Sequence, residues 1–166
     1  MPIETSPRSI SAVKKLEISA FDLAQRFVGT KEVPGTSSSP QVLAMLRLDE
    51  NWPNGDHVPW CSAFVNYVAW LLRLPRSKSL IARSWLGVGT PVTCEEATVG
   101  FDVVILKRGE GDQPDAENTT APGHVGFFAG VQQDKILLLG GNQQNSVSVA
   151  SYPLNRLLGV RRLHGE

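Results

Sequence analysis

The feature that most constrains the fold of this chain is a change of texture near Gly89. Before it, apolar residues recur at helical spacing; after it, short β-branched runs alternate with turn formers. Apolar positions 16, 20, 23, 24, 27 and 28 predict a helix over 16–28, stopped by Gly29. "SPQVLAMLRL" predicts a second, with Ser39 as cap and Pro40 in its first turn. Cys61 to Leu72 is the third, apolar at 64, 65, 68, 71 and 72, and "SLIARSWLGVG" suggests a shorter fourth. Beyond Gly89, "FDVVILKR", "GHVGFFAGV", "KILLLGG", "SVSVASYP" and "LLGVRRL" read as strands. Helices first and an antiparallel sheet second is an α+β arrangement.

The chain has 166 residues, 42% hydrophobic and 19% charged, which suits one globular domain spanning 16–166 after a polar lead-in over 1–15. Sixteen basic and sixteen acidic residues cancel. That balance argues against nucleic acid as a partner, since phosphate binding normally needs a basic excess. The apolar stretches fall well short of the ~20 residues that a membrane helix requires. "MPIETSPRSISAVKK" lacks the apolar core of a secretory signal, so synthesis in the cytoplasm is expected. Two cysteines, Cys61 and Cys94, make no disulfide framework, though they could pair.

Within this frame "HVPWCSAFVNYVAWLL" stands out, because Cys61 occupies the first turn of a helix aimed into the core. Unpaired N–H groups there favour an anion, so a thiol at that point is expected to ionise more readily and to act as a nucleophile. His124 opens a strand in "PGHVGFF" and is the candidate base. A third group should orient the imidazole. Asn142, at the end of the next strand, is the first candidate and Gln143 the adjacent alternative; the Gly-rich strand end leaves the choice open. Trp60 and Trp85 could wall a cleft as substrate-binding residues or pack in the core. Asp102 reads as a structural turn residue. A zinc site built from His57, Cys61, Cys94 and His124 is disfavoured, because Pro59 and Trp60 interrupt the 57–61 turn and Cys94 has no paired ligand. No metal or cofactor is expected. His57 and His164 read as surface residues.

"VPWCSAFVNYVAW", "GHVGFFAG" and "LLLGGNQQNSVSV" together resemble the CHAP-type (cysteine, histidine-dependent amidohydrolase/peptidase) cell-wall hydrolases and the related NlpC-type peptidases. "GTKEVPGTSSSPQVL", "ARSWLGVGTPV" and "LLGVRRL" extend the likeness, which runs from Gly29 onward and points to a phage-lysin-like and secreted-effector-like branch. The resemblance implies a papain-like fold with Cys61 as nucleophile, His124 as general base and acid, and Asn142 in the third position. Many CHAP domains carry a Glu two residues before that Asn, where this chain has Gly140. The implied activity is cleavage of a peptidoglycan amide, by an N-acetylmuramoyl-L-alanine amidase or a stem-peptide endopeptidase. A non-catalytic wall- or partner-binding domain and a cysteine acyltransferase are the alternatives. Action at the wall or periplasm would then require a delivery system. An effector would also require a cognate inhibitor (immunity) protein. Loops 30–40, 50–59 and 108–122 are expected to form the cleft rim.

Overall fold

A computed structural model describes residues 17–35, 37–49, 55 and 58–164. The expected lead-in over 1–15 and His57 lie outside them. The order is helix α1 (Ala20–Gln25), α2 (Pro40–Leu46), α3 (Cys61–Leu71), a 3-10 turn (Ala82–Gly87), then strands β1 (Thr90–Val92), β2 (Asp102–Lys107), β3 (Gly123–Gln132), β4 (Lys135–Gln143), β5 (Ser146–Pro153) and β6 (Leu157–Arg162). The strands form one antiparallel sheet in the order β1-β6-β2-β3-β4-β5. The fold is α+β, helices first and sheet second.

The first helix is shorter than its periodicity predicts. Ser19 and Asp22 make a capping box that sets its start. Beyond Gln25 the N–H groups of Arg26, Phe27 and Val28 bond three residues back instead of four, so the chain tightens out of the α-helix before Gly29. The fourth helix is a 3-10 turn, and the three-residue edge strand β1 is an element that composition did not signal. Among the described residues no helix is long and apolar enough to cross a membrane.

α3 lies across β3 and β4 and is buried through most of its length. Phe64 meets Phe127 of β3 edge-to-face at 6.0 Å. The N-terminal end of α3 presses hardest against β4 at Gly141. A Cβ there would stand 2.7 Å from Phe64 Cβ and 2.8 Å from Trp60 Cζ3. Only glycine admits that approach, and it brings the first residue of α3 onto the sheet. A second apolar cluster on Val104, Leu106, Phe128, Ile136, Leu138 and Val160 includes Cys94 at its margin. Cys61 belongs to the helix-side cluster, and both cysteines are free thiols. Asp102, almost wholly buried, joins β2 to β6 through Arg162 Nε at 2.8 Å.

Candidate active site

Cys61 is the first residue of α3, and Trp60 before it caps the helix without a side-chain hydrogen bond. The helix therefore begins with free N–H groups beside the thiol. The N–H groups of Val125, Ser62 and Cys61 itself favour the thiolate. The pairing of β3 with β4 reaches Phe127↔Leu139 and goes no further toward Val125, so the thiol meets β3 where the two strands have parted. These donors and the charge of Arg108 draw the thiol toward ionisation, but burial outweighs them and pushes Cys61 up. The expected depression is thus reversed, because a sulfur 2% exposed has lost the water that would solvate its anion.

His124 precedes Val125 in β3, which puts the imidazole next to the strand position that meets the sulfur. Its Nε2 stands 3.0 Å from Gln143 Oε1. The orientation of that amide follows from its other partners. Gln143 Nε2 donates to the carbonyl oxygen of Ser148 at 2.6 Å, and Tyr152 Oη donates to Gln143 Oε1 at 2.9 Å. Oε1 can only accept, so the network assigns the proton to His124 Nε2 and leaves Nδ1 as the basic nitrogen. Tyr152 also lies against the imidazole, with ring centroids 5.2 Å apart. Burial pushes its hydroxyl up to about 12, so it remains a donor at neutral pH. Burial likewise pushes His124 down to about 4, against the opposing effect of Gln143. At neutral pH the resting site holds a neutral thiol and a neutral imidazole.

Of the two candidates for the third position, the structure brings Gln143 to the ring. Asn142 sits at a break in register between Gly140 and Gln143, with φ of 56°, and its side chain makes no hydrogen bond to His124. Asparagine tolerates that left-handed conformation, and the bulge spends residue 142 on turning the chain. Gly140 completes the arrangement: a Cβ there would lie 2.9 Å from Gln143 Oε1 and 3.4 Å from His124 Nε2. Gln143 occupies the volume that a side chain at Gly140 would need. Gln143→Ala should lower kcat on the order of 10²-fold by freeing the imidazole, with KM little changed. Asn142→Gly should stay within about twofold of the parent, since glycine keeps the left-handed turn. Steady-state kinetics of both variants checks the assignment, and the reverse ranking would return the role to Asn142.

The tryptophans do not wall the cleft. Trp60 and Trp85 are fully buried. Trp60 Nε1 donates to Glu32 at 2.6 Å and Trp85 Nε1 to Ser62 Oγ at 2.9 Å. A buried indole needs such a partner, and both partners are remote in sequence. Tyr152 and Arg83 are the residues that sequence reasoning missed. Tyr152 looks like any outward position of an alternating strand. Arg83, in "IARSWL", looks like a surface base but is wholly buried. Its Nε donates to Pro122 O at 3.0 Å, and its Nη1 to the carbonyls of Pro114, Asp115 and Asn118 at 2.8, 2.8 and 3.0 Å. Arg83 therefore holds the segment between β2 and β3 as one wall of a groove of about 370 Å³, which Cys61 lines together with Leu80, Ile81, Arg108, Ala121 and Pro122. Among the described residues no three metal-ligating side chains converge, and Cys94 is on a different cluster from Cys61.

The fold is similar to that of a solved structure of NlpC2 from Trichomonas vaginalis. It superposes with a TM-score of 0.50 at 16% identity, over 92% of this chain and 49% of that one. The fold is NlpC-like. NlpC1 from the same organism gives a TM-score of 0.48 at 14% identity, over 89% of this chain and 44% of that one. The chain spans less than half the length of either NlpC protein. No protein-family model and no curated protein matches the sequence. The NlpC-like fold belongs to the papain-like class.

Proposed function

We propose that this protein is a cysteine hydrolase that cuts an amide bond of bacterial peptidoglycan. The observation that carries the reading is a thiol at an uncapped helix start whose anion the N–H of Val125 favours, with an imidazole one residue earlier on that strand tied through Nε2 to the amide oxygen of Gln143. In the reaction, His124 Nδ1 takes the thiol proton as Sγ attacks the amide carbonyl carbon. The carbonyl oxygen becomes an oxyanion, for which the Cys61 N–H is the first candidate donor. The imidazolium, held by Gln143, returns the proton to the leaving amine and an acyl-enzyme forms. Water, giving its proton to the same nitrogen, then releases the acid and restores the thiol. Hydrolysis starting from a neutral pair couples proton transfer to attack instead of relying on a preformed thiolate.

The CHAP-like pattern of the Cys and His blocks supports a wall substrate, and a phage lysin or a delivered antibacterial effector is the setting proposed for it. Purified peptidoglycan of several wall types, incubated with the wild-type protein and read by mass spectrometry, tests the function. Fragments bearing one new amine and one new acid are expected. Their masses separate a sugar–peptide cut from a stem-peptide cut. Products joined to an added amine would convert the reading to an acyltransferase. Intact walls of every type would overturn it and leave a binding domain.

A further inference from the structure

The groove around Cys61 is lined mainly by apolar side chains and, among the described residues, by a single charged one, Arg108. Three other cations are already engaged. Lys107 pairs with Asp115 at 2.7 Å, Arg83 is taken up by four carbonyls, and Arg162 is bound to Asp102. Arg108 is exposed and makes no ion pair among the described residues, and none of those lining the groove is acidic. It lines the same groove as Cys61, and its charge acts on Cys61, His124 and Tyr152.

We infer that Arg108 is a carboxylate-binding subsite, and that the groove selects acidic peptides presenting a free carboxylate beside the amide bond held at Cys61. The position of the bond to be cut rests on the hydrolase reading; the binding of the carboxylate does not. An exposed guanidinium alone in water gives little, because solvent screens it. A peptide lying in the groove against Leu80, Ile81 and Pro122 displaces that solvent, and the planar fork then meets a carboxylate through two parallel hydrogen bonds. A carboxamide at the same place offers one acceptor and no charge, and its NH2 group opposes the guanidinium donors. The groove is therefore a device for telling an acid from its amide.

The test reads binding to the Cys61→Ala protein by calorimetry, so no turnover intervenes. The probes are a peptidoglycan stem tetrapeptide and the same peptide with each carboxylate in turn converted to the carboxamide. One of these amidations is expected to weaken binding about tenfold. In Cys61→Ala/Arg108→Gln all the probes should bind alike, at the weakened level, and Arg108→Lys in the same background should keep part of the preference. Equal affinity for every probe, a preference that survives Arg108→Gln, or no binding of the tetrapeptide would each overturn the subsite. Failure of the hydrolase reading looks different: the wild-type protein would leave the tetrapeptide and the wall intact while the acid–amide preference persisted.

Discussion

Cys61→Ala should release no fragment from peptidoglycan, a fall in rate on the order of 10⁵-fold, with the fold retained. The substitution removes one sulfur atom from a site where, among the described residues, no side chain hydrogen-bonds to it. His124→Ala should match it. The double variant should be no slower than either single one, because nucleophile and base act as a unit and removing one disables both. A rate that survives Cys61→Ala would place the chemistry elsewhere in the molecule. The protonation state of the resting site gives this prediction a second edge. Burial pushes the thiol above its ordinary value of 9.0 and the imidazole down to about 4, so no thiolate–imidazolium pair exists at neutral pH. The rate of alkylation of Cys61 by iodoacetamide, measured in a Cys94→Ser background, should therefore keep rising beyond pH 9. A plateau beginning near neutrality would reveal a preformed ion pair and reject the neutral one.

Arg83→Met should be the most damaging substitution outside the line of Cys61, His124 and Gln143. The guanidinium is wholly buried and satisfies carbonyl oxygens of Pro114, Asp115, Asn118 and Pro122, which belong to one connection between β2 and β3. Methionine fills much of the volume but donates nothing, leaving those carbonyls without their partner. Loss of a buried charged partner costs about 3–5 kcal/mol. In a domain of this size that is a fall in Tm of roughly 10 °C. The segment 114–122 should also become open to proteases, since its own backbone bonds include only the Asn118 N–H to Asp115 O turn and the Asn118 side-chain bonds to Thr120 and Ala121. Arg83→Lys should recover little, because an ammonium cannot reach four separated carbonyls as a planar fork does. An unchanged Tm with the segment still protected would show that the groove wall is held by its packing alone.

How far the sequence announced this structure depends on whether the cause was local. Cys61 was legible because a helix start is written in the residues around it, and His124 because "PGH" marks a strand entry ahead of a β-branched run. The strands after Gly89 could be read from their composition for the same reason. The length of α1 was not, since its periodicity continues past the point where the backbone tightens. Choosing between Asn142 and Gln143 required a bulge whose register depends on pairing with β5. Tyr152 acquires its place from its pairing opposite Ile136, a contact invisible in the alternation of β5. Arg83 went unread, and the two tryptophans were left open between cleft and core, for one shared reason. Each is a polar group whose partner lies tens of residues away, so burial and exposure look alike in one dimension.

The empty Cβ position at Gly140 ties two residues together. A side chain at 140 would contend with Gln143 for one volume beside His124. A change at 140 therefore cannot be made alone: it collides with Gln143 unless that side chain yields, and a Gln143 that yields lets go of His124 Nε2. A glycine with no chemistry of its own thus decides which atom the imidazole can hold.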